Sequence, residues 1–282
     1  MPTILNEVAK SICSDLKLNF IGGSGEGAFK ETYHVTTNEG FNIALKVFKS
    51  SKAGERTQRE IEAMLVCNHL NIGKLMEVTS YEYKDNSYLY LLEEFLSGGS
   101  LSEKLEIGTI NIKRFHNIGE CLISALSHIS SHGLVHRDIK PDNIMFREDG
   151  KTPVIVDFGL VRDLNSESLT QTWLLHGPGS PYYSAPEQLN NQKELIDWRT
   201  DQFSLGVTFS LCLFGFHPYC RKGDNSSDVV SRIISREDCS PDFVQKCKDS
   251  GLELLQKMVS PWSVGRFRKI DQLKQAWNRI VV

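Results

Sequence analysis

The sequence predicts an α+β chain of two lobes, a mostly antiparallel one over residues 1–96 and a mainly helical one over 97–282. Three observations predict this. From Phe20 to Lys49, short apolar stretches are broken by glycines and by Asn38-Glu39-Gly40, as strands joined by turns require. Beyond Ser97-Gly98-Gly99-Ser100, which reads as a connector, apolar residues instead recur at helical spacing, notably over Ile112 to His132, Asp201 to Phe214 and from Ser240 to the end. Finally, no Pro-rich linker, low-complexity tract or internal repeat divides the chain, so two lobes must join through a short connection.

Ile4, Leu5, Val8 and Ile12 share one helical face, which predicts a short packing helix before the first strand. Lys46 falls on the third strand of the Phe20 to Lys49 region. Glu55 to Asn68 reads as a helix, with Ile61, Met64 and Leu65 as its apolar stripe beside Arg59, Glu60 and Glu62. Leu75 to Tyr83 and Tyr88 to Phe95 follow as strands. The most apolar stretch, Phe203 to Phe216, is shorter than the roughly 20 residues a bilayer needs and carries Ser, Gly and Thr, so it reads as a buried core helix.

With 282 residues, 40% hydrophobic and 24% charged, the chain has material for a sizeable core. A formal net charge of -3 gives no whole-chain reason to expect nucleic acid or a membrane surface as partner. Seven cysteines form no CxxC pair, and their odd number leaves one over in any disulfide scheme; reduced, mostly buried thiols are expected. The N-terminus lacks a basic region followed by an apolar one, so it does not read as a secretory signal, and a soluble cytoplasmic protein is expected. Composition leaves the oligomeric state open. The eight histidines show no metal-ligand spacing.

Four motifs carry chemistry. Gly25-Glu26-Gly27-Ala28-Phe29 lets a strand turn bring backbone N–H groups close to phosphate oxygens, although a glycine cluster by itself is more often only a turn. Ile43-Ala44-Leu45-Lys46 ends a strand on a lysine that, unless it is merely on the surface, needs a carboxylate to hold it; Glu60 is the first candidate and Glu62 the second. In His136-Arg137-Asp138-Ile139-Lys140-Pro141-Asp142-Asn143, Asp138 suits orienting a hydroxyl and taking its proton, Lys140 neutralising charge on a transferred phosphoryl group, and Asn143 offering a carbonyl oxygen to Mg²⁺. Fourteen residues after Asn143, an apolar strand delivers Asp157 in Asp157-Phe158-Gly159, a second hard oxygen ligand.

Together these segments resemble the eukaryotic-type protein kinase family from about Phe20 to Val282. The resemblance implies the two-lobed protein-kinase-like fold, with the nucleotide between the lobes. In that pattern Ala185-Pro186-Glu187 looks like the end of the activation segment, Asp201 like the aspartate that braces the catalytic loop, and Arg266 like the partner of Glu187. Ser180 in Gly179-Ser180-Pro181-Tyr182-Tyr183, together with Lys140, resembles the serine/threonine subclass and so implies protein substrates. The implied activity is transfer of the γ-phosphoryl of Mg-ATP to protein Ser/Thr hydroxyls, with Asp138 and Lys140 catalytic, Gly25, Gly27, Ala44, Lys46, Glu60, Asn143 and Asp157 at the nucleotide, and Asn143 and Asp157 on the metal. Arg137 resembles the arginine of kinases ordered by a phosphorylated activation segment, which makes Thr170 and Thr172, with Ser166 and Ser168, the expected autophosphorylation sites; their context and Gln188 are similar to bacterial members.

The chain departs from the pattern at three positions. Lys30 stands at the third glycine, Thr32 at the valine over adenine, and Glu93 just before the hinge 94–96, where the family has an apolar side chain. A buried carboxylate at 93 needs a donor, unless the strand register is shifted by one. Two alternative functions share the fold: a scaffold that binds nucleotide or partners without chemistry, which only the altered glycine loop supports and Lys46, Asp138, Asn143 and Asp157 argue against, and a small-molecule kinase, against which Ala185-Pro186-Glu187 and Ser180 argue.

Overall fold

A computed structural model describes residues 3–27, 30–49, 55–164 and 180–281, the backbone alone at 55 and 56. They divide into two compact units, Met1–Asn68 with Gly73–Ser97 and His69–Ile72 with Gly98–Val282.

In the first unit, helix α1 (Ile4–Leu16) starts at Thr3, whose hydroxyl accepts from the Asn6 N–H at 3.2 Å, and ends at Lys17 in the left-handed region. It runs a turn beyond the apolar spacing that announced it. Five strands follow, β1 (Asn19–Glu26), β2 (Lys30–Thr36), β3 (Asn42–Phe48), β4 (Leu75–Tyr83) and β5 (Asn86–Glu94), with helix α2 (Glu55–Val66) between β3 and β4. The sheet is antiparallel throughout in the order β1-β2-β3-β5-β4. Leu5, Val8, Ala9, Ile12 and Cys13 of α1 pack on Tyr33, Val35, Ile43, Leu45, Val47, Tyr90 and Leu92, so one sheet face is buried by a single amphipathic helix. The β4–β5 turn places Lys84 and Asp85 at φ 48° and 62°, the backbone that a two-residue hairpin requires and that Asp tolerates better than Lys.

Residues 69–72, which the sequence places in the first lobe, belong to the second unit. The carboxamide of buried Asn71 donates to the Pro153 carbonyl at 2.7 Å, and Ile72 bridges Ile155. The rest of that unit comprises α3 (Leu101–Ile107), α4 (Ile112–Ser131), β6 (Leu134–Val135), β7 (Ile144–Phe146), β8 (Pro153–Ile155), β9 (Arg162–Asp163), α5 (Pro186–Leu189), α6 (Trp198–Phe214), α7 (Ser226–Ile234), α8 (Pro241–Asp249), α9 (Glu253–Met258) and α10 (Ile270–Trp277). Helix α6 begins three residues before Asp201, because Asp197 accepts from the Arg199 N–H at 2.8 Å and caps it; it is buried on nearly every side. The helical pattern beyond Ser240 resolves into three helices rather than one, since Gly251 at φ 64° stops the chain after α8 while Leu252 N–H returns to the Cys247 carbonyl at 2.8 Å. Phe115, Phe209 and Trp277 form the aromatic centre, where Gly119 lets the Trp277 ring lie against the α4 backbone. Among the described residues no helix is long and apolar enough to cross a membrane.

Candidate active site

The loop after β6 is held from beneath. Asp201, buried on α6, accepts from the His136 N–H at 2.8 Å and the Arg137 N–H at 2.7 Å. Burial pushes its carboxyl upward; the nearby His136 and those two backbone donors offset this. Arg137 sits at φ 69°, a strained position for a side chain this large, and the two bonds to Asp201 hold it there. His136 Nε2 donates to the Val156 carbonyl at 3.2 Å, its Nδ1 accepts from the Asp138 N–H at 3.3 Å, and its ring meets Phe158 edge-on at 4.8 Å. His136 is therefore a packing and hydrogen-bonding strut of the loop.

On that base the Asp138 carboxylate converges with two neighbours. Lys140 Nζ lies 3.0 Å and Asn143 Nδ2 2.8 Å from Asp138 Oδ2, and the same amide nitrogen also donates to the Asp138 carbonyl at 2.8 Å. Lys140 Nζ is 3.5 Å from Ser180 Oγ. A 3₁₀ turn at Pro141–Asn143, with Pro141 supplying a preset φ, folds the chain back so that residues 138, 140 and 143 meet.

The hairpin of β7 and β8 then decides where Asp157 goes. Ile144 pairs with Ile155, and the Val156 N–H donates to the Asn143 carbonyl at 3.0 Å, so the start of one strand and the end of the other bring Asn143 and Asp157 to one end of the hairpin. Asp157 adopts φ 65° and accepts from the Gly159 N–H at 3.3 Å. Because the Asn143 amide nitrogen is spent on Asp138, the amide oxygen is the atom left to coordinate. Together with the Asp157 carboxylate it offers the hard oxygen donors that Mg²⁺ takes, so the residues fit that ion.

A second network supports the loop. Arg266 and Glu187, both fully buried, form a bidentate pair at 2.6 and 3.0 Å; Thr200 donates to the same carboxylate at 2.9 Å. Gln188 donates to the Arg137 carbonyl at 2.9 Å and accepts from the Ala185 N–H at 3.2 Å. Gln188 thereby ties the Ala185-Pro186-Glu187 segment to the loop that carries Asp138. The sequence showed it only as a point of similarity, because nothing in the spacing reveals what it bridges.

In the first unit, Gly25 stands opposite Thr32 across β1 and β2, and the Gly27 N–H donates to the Lys30 carbonyl at 2.9 Å. Nothing lies within 4 Å of a Cβ built at Gly25, so the glycine there leaves backbone open to approach. Ala44 pairs with Glu93 and Lys46 with Leu91 across β3 and β5. The carboxylate that meets Lys46 is Glu93, at 2.6 Å, and not the expected Glu60 or Glu62. Glu60 is buried and engages Lys30 instead. Of the two readings of Glu93, a donor rather than a slipped register is observed. Ala28, Phe29, His176, Gly179 and the expected phosphorylation sites Ser166, Ser168, Thr170 and Thr172 lie outside the described residues.

An antiparallel five-stranded unit, and a helical unit whose aspartate, lysine and asparagine converge on one loop, are what a protein kinase fold provides. The protein kinase domain family matches residues 19–277, and the chain belongs to that family. Among curated proteins it is 30% identical over 262 residues to the CBL-interacting serine/threonine-protein kinase 15 of Arabidopsis thaliana, covering 90% of this chain and 59% of that one. It is 32% identical over 263 residues to CBL-interacting serine/threonine-protein kinase 26 of the same plant, covering 90% and 56%. It is 28% identical over 273 residues to calcium-dependent protein kinase 4 of Plasmodium berghei, covering 91% and 48%. The chain thus spans about half the length of the curated relatives it matches.

Proposed function

We propose that this chain is a serine/threonine protein kinase that transfers the γ-phosphoryl of Mg-ATP to hydroxyl groups of protein substrates. The observation that carries the reading is the convergence of Lys140 and Asn143 on the Asp138 carboxylate, with Lys140 also beside Ser180. Asp138 orients the substrate hydroxyl and takes its proton as the new O–P bond forms and the bond to the ADP oxygen breaks. In a loose transition state the hydroxyl gives up its proton late, so positioning by Asp138 matters more than its strength as a base. Lys140 neutralises charge on the moving phosphoryl group. Lys46 faces the α- and β-phosphates, and the glycine turn from Gly25 to Gly27 covers them, with open space beside Gly25. Asn143 and Asp157 are the residues that would hold Mg²⁺, which when bound draws negative charge from the phosphate oxygens.

Autophosphorylation within Ser166 to Thr172 belongs to the same proposal, with Arg137 as the phosphate's partner. The names of the relatives support the serine/threonine subclass. The test is transfer from γ-labelled ATP with Mg²⁺ to the chain itself and to a generic protein substrate, comparing the unaltered chain with Asp138→Asn. Labelled serine or threonine in the unaltered chain alone is the expected result, with phosphopeptides mapping to Ser166–Thr172. Nucleotide binding without any transfer would replace this reading by the scaffold, and turnover only on an added metabolite by a small-molecule kinase.

A further inference from the structure

Two of the chain's departures from the kinase pattern, Lys30 and Glu93, each hold one member of the pair that the pattern joins. Lys46 Nζ sits 2.6 Å from Glu93 Oε2, and Lys30 is bound to Glu60. We infer that Glu93, not Glu60, is the residue that positions Lys46 for the phosphates of the nucleotide, and that Lys30 compensates by satisfying the buried Glu60. The inference rests on the proposed nucleotide site, and it concerns which carboxylate sets the lysine's place within it.

The sheet geometry explains why the exchange is stable. On antiparallel strands, residues opposite one another share a face, and so do residues two positions along. Glu93 is opposite Ala44, two residues before Lys46, so Lys46 and Glu93 are diagonal neighbours on one face of β3 and β5. Ala44 leaves room for the carboxylate, and both long side chains span the diagonal. Their side chains are only 13% and 5% exposed, so water screens the pair weakly. The second carboxylate oxygen, Glu93 Oε1, is buried with no hydrogen-bond partner among the described residues. A buried acceptor left unsatisfied is costly, so the contact between Lys46 and the other oxygen must offset that cost. Glu60 is engaged by Lys30 from the neighbouring strand β2. The pairing that holds Lys46 is therefore built into the register of a sheet rather than into the placement of a helix.

The experiment measures affinity for Mg-ATP and for adenosine by calorimetry on the full chain, unaltered and as Glu93→Gln and Glu60→Gln, alongside KM for ATP and kcat. Because Lys46 acts on phosphates, Glu93→Gln is expected to lower the ratio of Mg-ATP to adenosine affinity by about tenfold, the effect of one charge-assisted contact, with KM rising by more than kcat falls. The loss should be larger than for Glu60→Gln. A larger loss for Glu60→Gln, or equal weakening of both ligands by Glu93→Gln, would overturn the inference, the second by reducing Glu93 to a structural residue. If Glu93→Gln unfolds, the pairing is read from thermal midpoints instead. Lys46→Met and Glu93→Leu should each destabilise, and the double variant should recover part of the loss, whereas additive losses would overturn the pairing. An unaltered chain that binds Mg-ATP but transfers nothing would end the kinase reading and leave the affinity ratio to judge Glu93; one that binds no nucleotide would overturn both.

Discussion

The Asp138 carboxylate in the loop after β6 and the carboxylates of the five-stranded unit reach their partners by different routes. Asp138, Lys140 and Asn143 fall within six residues, and one 3₁₀ turn brings them together, so their spacing in sequence nearly dictates their geometry. Lys30, Lys46, Glu60 and Glu93 come from β2, β3, α2 and β5, and which lysine meets which carboxylate is settled by strand register and by competition for each buried acid. A local cluster thus tolerates little rearrangement, while a dispersed set of ion pairs exchanges partners without changing the fold.

The sharpest way to break this comparison is at Asp138. Asp138→Asn should reduce phosphoryl transfer by about 10²–10⁴-fold, the usual worth of a general base, with the urea midpoint nearly unchanged; a large fall in the midpoint would mean that the loop network is mainly structural. Next in size is the buried pair behind the loop. Glu187→Ala leaves Arg266 charged and fully buried, and a loss of about 3–5 kcal/mol in chemical denaturation is expected. Gly119→Ala follows, because its Cβ would come within 1.8 Å of the Trp277 ring; overpacking of this kind costs about 1–3 kcal/mol, read in the same experiment.

A pH experiment sharpens the contrast from another side. Burial pushes the His217 imidazole down to about 3, partly offset by its bond to the Tyr182 carbonyl. In the unfolded chain the same ring titrates near its ordinary value of about 6.5, so between these limits the unfolded state binds the extra proton. Stability should therefore fall as pH drops through that window, at up to about 1.4 kcal/mol per pH unit, and be indifferent to this group above it. His217→Asn should flatten that slope. The smallest effect is expected at the half-exposed pair of Arg221 with Glu237, where Arg221→Ala should change stability by less than about 1 kcal/mol.

How legible the site was follows the same division. Asp201 beneath the loop and Arg266 with Glu187 were readable from motif position, and the structure brings each to its partner. Glu93 was visible as an acid in need of a donor, but its donor was not, because Lys46 lies 47 positions away and only the β3–β5 register makes them neighbours. Gln188 gave no signal of its bridging role.

By itself the sequence determined the five strands and two helices of the first unit and helices α4 and α6 of the second, because hydrophobic period acts locally along the chain, and its motifs carried the resemblance to the kinase family. Only the tertiary structure decided that residues 69–72 join the helical unit, that the segment after Ser240 breaks into three helices, and that Lys46 rests on Glu93 while Lys30 takes Glu60. The first and the last of these turn on which polar groups are buried together, and burial is a property of the packed chain rather than of any segment of it, while the helix break follows the left-handed backbone at Gly251.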